Sequence, residues 1–200
     1  GIEELAKNVE ISSDDIKNLV GFSREMSIDL TIVGPEIPLV KGIVDAFQKE
    51  GLKIIGPAKD AAQLEGSKAF SKDFMKKYGI PSAAYDEVHS YDEAIKTLAK
   101  YSFPVVIKAD GLAAGKGVLI CENQQEAEKA LTDILINKVF GEAGSKIVIE
   151  EFLEGIETSV LCFVDGKTIV PMVSSQDHKR IYDGDQGPNT GGMGTYSPNY

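Results

Sequence analysis

The stretch VVIKADGLAAGKGVLI, residues 105–120, decides how this chain is read. It sets Lys108 at the end of one apolar run and Lys116 inside a glycine-rich turn, after which a second apolar run follows. Residues 105–107 read as a buried strand delivering Lys108, and residues 118–120 as the strand that returns. The loop 110–117 therefore bridges two strands and opens no helix. A strand-to-helix phosphate loop needs G-x-x-x-x-G-K-[ST], whereas here three residues separate Gly111 from Gly115 and Gly117 follows Lys116, so that motif fails on spacing and on context. What remains is a flap whose small residues, Gly111, Ala113, Ala114, Gly115 and Gly117, let backbone N–H groups approach an anion closely. Taken alone, the segment fits a polyphosphate grip and an ordinary hairpin loop with a solvated lysine equally well.

Composition bounds the class. Two hundred residues, 42% apolar and 26% charged, describe a soluble globular chain large enough for one domain or two small ones. No apolar run nears the roughly 20 residues of a membrane span, and the start carries no signal-peptide pattern, so a cytoplasmic protein without a membrane partner is expected. A formal charge of -10 and a pI near 4.7 argue against nucleic-acid binding, and an anionic ligand needs cations focused locally. Cys121 and Cys162 lie in expected strands with no C-x-x-C spacing and are read as buried reduced thiols. The chain begins without Met and stops just after an information-dense stretch, which is expected of an internal piece of a longer enzyme.

The first part alternates helix and strand. Ile16, Leu19, Val20 and Met26 fall at helical spacing behind Ser13-Asp14-Asp15, and residues 28–33 follow as a strand. Pro38 suits the first turn of a helix bearing Leu39, Ile43, Val44 and Phe47, Gly51 stops it, and residues 52–55 form another strand. That order predicts part of an open parallel α/β sheet, with Gly34-Pro35-Glu36 at a strand's carboxyl end. Ser67 caps a helix with Phe70, Phe74, Met75 and Tyr78, ended by Gly79. An α+β unit starts near residue 82: Ser90 with Glu93, and Asn123 with Glu126, begin helices, residues 146–150 form a strand, and 158–164 pairs with 168–173 across Asp165-Gly166.

Four further elements bear on the grip. Residues 147–153 form a strand ending in Glu150 and Glu151, with Glu157 beyond; such a strand end can read a base edge while a nearby carboxylate accepts from ribose hydroxyls. Lys68 stands in the first turn of a helix, where the dipole disfavours an ammonium and calls for another partner. Asp177-His178-Lys179-Arg180 is a dense cationic cluster, and arginine suits bidentate phosphate or carboxylate contacts. Residues 187–194 place Asn189 and Thr190 among turn-forming neighbours, as a close-fitting loop around a small polar ligand would. Each also has a plain reading as acidic loop, solvated lysine, basic surface or turn.

In combination, GPEIPLVKG, QLEGSKAFSKDFM, VIKADGLAAGKGV, IVIEEFLEGIETSV, SQDHKR and GPNTGGMGTYSP resemble the phosphoribosylamine–glycine ligase family of the ATP-grasp superfamily, from about Ile28 to Tyr200. SQDHKR with NTGGMG separates that family from ATP-grasp relatives such as biotin carboxylase or D-alanine ligase. The resemblance implies an ATP-grasp fold, with a partial preATP-grasp sheet and linker helix over 1–81, a lid domain over 82–150 and the start of the central domain over 151–200. It implies ATP-dependent joining of glycine to 5-phosphoribosylamine through a glycyl phosphate, in purine biosynthesis. No enzyme nucleophile is needed for that chemistry, and the sequence offers no Ser–His–Asp or Cys–His arrangement.

By the same likeness Lys68 and Lys108 hold the ATP phosphates, and the flap with Gly111, Gly115, Lys116 and Gly117 covers them and is mobile without nucleotide. Glu150 and the backbone of Leu153 read adenine, Glu157 binds ribose, and Glu151 is counted with them in the nucleotide-binding set. His178 and Arg180 are the catalytic candidates. Asp177 and Asn189, Thr190, Gly191, Gly192 and Met193 approach the acyl phosphate and substrates, and Pro35, Glu36 and Pro38 line the phosphoribosylamine side. Mg2+ or Mn2+ is implied, with its ligands expected beyond Tyr200 and none within this chain, so the 200 residues alone are expected to be inactive. Two alternatives stay open at this point: another ATP-grasp carboxylate–amine ligase, and a noncatalytic nucleotide-binding module.

Overall fold

A computed structural model describes residues 2–111 and 117–199. Contacts divide it into two units, Gly1–Ile80 and Pro81–Tyr200. In the first, a 3-10 turn Ile2–Glu4 precedes α1, Ile16–Glu25, whose N-cap Asp15 accepts from Asn18 N at 3.2 Å. Then come β1, Thr31–Ile32, α2, Glu36–Lys41, α3, Ile43–Lys49, and β2, Ile54–Ile55, and the two strands pair in parallel with Thr31 opposite Ile54. The parallel pairing matches the alternation in the sequence, although each strand is only two residues long. The single helix expected from Pro38 is two, because Gly42 adopts φ +89°, a left-handed conformation that costs glycine little and ends the hydrogen-bond ladder. Ile43, Val44 and Phe47 of α3 are buried with Ile16, Leu19 and Val20 of α1 against them.

Two helices close this unit. α4, Lys59–Gly66, was not expected from the sequence; its first turn is held from outside, by Asp45 Oδ2 accepting from Lys59 N at 2.8 Å. α5, Lys68–Tyr78, starts at the expected Ser67, whose Oγ accepts from Phe70 N at 3.1 Å, and ends at Gly79. Its buried residues are Ala69 and Lys72, Phe74 and Met75 are half-buried, and Phe70 and Tyr78 are exposed.

The second unit is built on one antiparallel sheet. Its elements run β3, Tyr85–Val88, α6, Tyr91–Leu98, β4, Val105–Ala109, β5, Val118–Cys121, and α7, Gln124–Leu131, which continues into a π turn, Thr132–Ile136. A 3-10 turn, Gly141–Gly144, leads to β6, Ile147–Glu151, and the spatial order is β3-β6-β4-β5. The caps are the expected ones: Ser90 Oγ accepts from Glu93 N at 3.3 Å, and Asn123 Oδ1 from Glu126 N at 3.0 Å. Directly opposed residues share a face of such a sheet. One face therefore carries Val88, Val105, Ile107, Ala109, Ile147 and Ile149, buried under Ala94 and Leu98 of α6 and Ala127, Ala130 and Leu131 of α7. Tyr101 seals its edge, donating to Asp86 Oδ2 at 3.0 Å and to Ile149 O at 3.1 Å, and burial together with the Asp86 carboxylate raises its pKa.

Two hairpins follow. β7, Cys162–Val164, pairs with β8, Ile169–Pro171, across a turn in which Asp165 Oδ1 accepts from Lys167 N at 2.9 Å and Thr168 N at 2.7 Å. β9, Gln176–Tyr182, pairs with β10, Gln186–Tyr196. The stretch 187–194, expected as a loop, is thus a strand, and register shifts on either side of Asn189 absorb its glycines and proline as bulges. Among the described residues, no helix is long and apolar enough to cross a membrane.

The two thiols differ, against the expectation that both are buried. Cys121 lies in the sheet core, and burial, then Glu126 and Glu122, push its pKa up to about 11; Cys162 is exposed, because β7 pairs only with β8 among the described strands. A thiol-disulfide reagent at neutral pH is expected to titrate Cys162 in the native chain and Cys121 only after denaturation. Equal native reactivity of both would contradict this packing.

Candidate functional site

The sheet of the second unit has a second face, and that face carries a set of charged side chains. The register runs Glu87, Val148, Lys108, Val118 across four strands, and one step along it Tyr85, Glu150, Val106, Ile120. Lys108 and Glu150 are therefore diagonal neighbours, and Lys108 Nζ makes an ion pair with Glu150 Oε1. Glu150 is only 3% exposed and Lys108 27%, while Val106 and Val148 beside them are buried. A carboxylate so enclosed is costly without a cation, and a lysine so enclosed has few directions in which to send its charge. The strand period fixes both: Lys108 must point away from the helices because Ile107 and Ala109 point into them.

The expected strand–loop–strand arrangement is present, with β4 leading into the loop and β5 returning antiparallel. Residues 112–116, with Gly115 and Lys116, lie outside the described residues. The two ends of the loop are fixed: Ala109 N donates to Gly117 O at 2.8 Å, and Gly111 N donates to Ala143 O at 3.1 Å. Gly111 has to be glycine, since a Cβ there would stand 2.9 Å from the backbone Cα of Ala143.

The β9–β10 hairpin brings the second cluster together. Asn189 is opposite Arg180, Gly194 opposite His178 and Thr195 opposite Asp177, so Arg180, Asn189 and His178 share a face and Asp177 takes the other. Arg180 Nη1 donates to Gly187 O at 2.9 Å, which holds the guanidinium over the bulge. Thr190 Oγ1 donates to Lys179 O at 2.8 Å and accepts from Gly192 N at 3.0 Å, so its hydroxyl is already used in shaping β10. The His178 ring stacks on Tyr196 with centroids 5.6 Å apart. Gly191, Gly192 and Met193 are exposed along the strand. A cleft of about 420 Å³ lies between Val118, Leu119 and Ile120 of β5 and Arg180, Gly187, Pro188 and Asn189 of the hairpin. Val118 is the register partner of Lys108, so the cleft and the ion pair adjoin.

The remaining expected residues fall in several settings. Glu151 is tied to the start of β3, with its backbone N donating to Ala84 O at 3.0 Å and its Oε1 accepting from Ala84 N at 2.9 Å. Leu153 is exposed just past β6, and Glu157 pairs with Lys179 of β9. Lys68, Pro35, Glu36 and Pro38 belong to the first unit: Lys68 opens α5, Pro35 caps α2, Glu36 begins it, and Pro38 is fully buried inside it. Lys146 was not among the expected residues although it stands on the face of Lys108; the cue was its period-two spacing with Val148 and Glu150. Among the described residues no three His, Cys, Asp or Glu side chains gather as a metal site.

Residues 1–65 match the family model of the phosphoribosylglycinamide synthetase N domain, and residues 66–200 that of its ATP-grasp (A) domain. The chain is 55% identical over 197 residues to the phosphoribosylamine–glycine ligase of Vibrio vulnificus and 57% identical over 197 residues to that of Haemophilus influenzae. Each alignment covers 98% of this chain and 46% of the relative, so the chain spans about half the length of these proteins. The crystal structure of phosphoribosylamine–glycine ligase from Thermotoga maritima superposes with a TM-score of 0.73 at 39% identity, over 84% of this chain and 41% of that one. The biotin carboxylase domain of a Hydrogenobacter thermophilus 2-oxoglutarate carboxylase follows the same fold, with a TM-score of 0.66 at 21% identity, over 84% of this chain and 38% of that one. The fold is thus a segment of an ATP-grasp enzyme fold.

The ion pair yields a stability test. Lys108→Met takes a cation away from the buried Glu150 carboxylate and is expected to cost about 3 kcal/mol of unfolding free energy. Adding Glu150→Leu removes the buried charge as well, and the double variant should recover most of that loss in urea denaturation. Additive losses in the two variants would mean that Lys108 and Glu150 are not coupled.

Proposed function

The chain belongs to the phosphoribosylglycinamide synthetase family, and from that premise we propose that it carries the nucleotide-binding part of an ADP-forming carbon–nitrogen ligase that joins glycine to 5-phosphoribosylamine. The observation that carries the reading is the Lys108–Glu150 pair, set where a strand enters a glycine-rich loop and next to a cleft lined by Arg180 and Asn189. ATP when bound supplies the phosphoryl group that activates the glycine carboxylate, and a divalent cation, Mg2+ or Mn2+, shields its phosphates. The work of the protein is then positioning and charge stabilisation.

Under this reading Lys108 offers its ammonium to the phosphate chain, with Lys68 as a second cation, while Glu150, Glu151 and the Leu153 backbone frame the base and Glu157 the ribose. Arg180 and His178, on one face of the hairpin, neutralise the charge that builds at the reacting carboxyl group, and Asp177 with residues 189–193 orients glycine and the amine. Pro35 and Glu36 contribute to the phosphoribosylamine side, and buried Pro38 acts by fixing the turn that carries them. Transfer of the γ-phosphoryl group of ATP to the glycine carboxylate would release ADP and leave an acyl phosphate held in the site, which the amine attacks to give the amide and free phosphate. Residues 82–150 form the lid and 151–200 the start of the central domain.

The test is ADP release by the full-length protein with Mg-ATP, adding glycine and phosphoribosylamine separately and together. Release that requires both is the expected result. Release that ignores glycine, or nucleotide binding without turnover, would overturn the assignment. Arg180→Ala is expected to lower kcat by roughly 100-fold or more with little change in the KM for ATP.

A further inference from the structure

Lys146 is the centre of a charge cluster that none of the roles above uses. Its Nζ lies 3.3 Å from Asp110 Oδ2 and 3.4 Å from Glu87 Oε1, and the same Glu87 oxygen is 3.0 Å from His89 Nε2. Three strands contribute. Glu87 comes from β3, Lys146 immediately precedes β6, and Asp110 immediately follows β4 at the entry to the glycine-rich loop. The backbone converges on the same place, since Asp110 N donates to Lys146 O at 3.0 Å and Gly111 N donates to Ala143 O at 3.1 Å. Burial opposes the charge on Lys146, yet Asp110 and then Glu87 raise its pKa on balance, so it stays a firm cation through neutral pH.

The cluster shares the face of Lys108, and Asp110 lies only two residues along the same strand direction. A polyphosphate held by Lys108 is therefore close to a carboxylate that would repel it unless that carboxylate is engaged elsewhere. Lys146 engages it and, through Glu87, ties it to the far strand of the sheet.

We infer that Lys146 is a positioning residue for nucleotide binding: its ion pairs with Asp110 and Glu87 fix where the glycine-rich loop leaves the sheet relative to the Lys108 ammonium, and turn the Asp110 charge away from the phosphate chain. This rests on the nucleotide reading of the site. It assigns a role to three residues outside the expected set, and it predicts an effect on ATP that does not extend to glycine.

The test uses the full-length enzyme, with steady-state kinetics and direct calorimetric titration of Mg-ATP. Lys146→Met is expected to raise the KM and Kd for ATP by roughly tenfold while kcat and the KM for glycine change little, and Lys146→Arg should restore near wild-type ATP affinity. Adding Asp110→Asn to Lys146→Met should leave ATP binding weak, because the tie remains broken although the charge is balanced. The inference is overturned if Lys146→Met binds ATP as the wild type does, if it weakens ATP and glycine equally with a lowered Tm, if arginine does not rescue, or if the double variant binds like the wild type. A wild-type enzyme that binds no ATP would instead remove the nucleotide reading itself, and the inference with it.

Discussion

A carboxylate buried in the middle of a sheet is the constraint around which the second unit is organised. Glu150 sits where the strand period demands a residue facing away from the helices, and it is enclosed there by Val106 and Val148. Enclosing a charge in that way costs several kcal/mol unless a cation meets it, and Lys108 is the cation two positions along the neighbouring strand. The pair contributes little to stability compared with apolar neighbours of equal size. Its value is specificity: β4 and β6 cannot slip by one residue without sending one of the two charges into the core formed by Ile107 and Ile149 and parting it from the other. A register fixed in this way delivers Lys108 to the mouth of the glycine-rich loop at a set height.

From that register the functional geometry follows. β5 brings Val118 opposite Lys108, and the bulged β9–β10 hairpin meets β5 across the cleft with Arg180 and Asn189 in front. One cation stands at the strand end and another on the hairpin, and the strand end carrying Glu150 and Glu151 lies in the same sheet. In a chain with a formal charge of -10, such local cations are what can hold a polyanion against the field of the whole. The proposed ligase chemistry asks for positioned charges and no protein nucleophile, in keeping with a cluster of lysine, arginine and asparagine.

Much of this was legible in the sequence wherever the determining contact is short in range. Ser67, Ser90 and Asn123 cap helices three residues ahead of the amide they receive, so the pattern that signals the cap contains the whole interaction. The loop after Lys108 was legible as a strand-to-strand connection because apolar runs flank it on both sides. The misses are non-local. α4 takes its cap from Asp45, fourteen residues earlier. Residues 187–194 look like a loop because of their glycines, and become a strand only because β9 supplies partners and bulges take up the excess. Cys162 has the hydropathy of a buried position, but exposure is set by which elements pack on it. Lys146, Asp110 and Glu87 lie far apart in sequence and meet through sheet order alone.

The central claim, that the face of Lys108 and Glu150 holds the nucleotide, is tested most directly by lysine footprinting of the full-length protein with and without saturating Mg-ATP. Lys100, which pairs with Asp86 at 3.1 Å on the opposite, helix-covered side of the sheet, is the internal control. Protection of Lys108 by nucleotide with Lys100 unchanged is the predicted result. Equal modification of Lys108 in both conditions, with nucleotide shown to be bound, would contradict it.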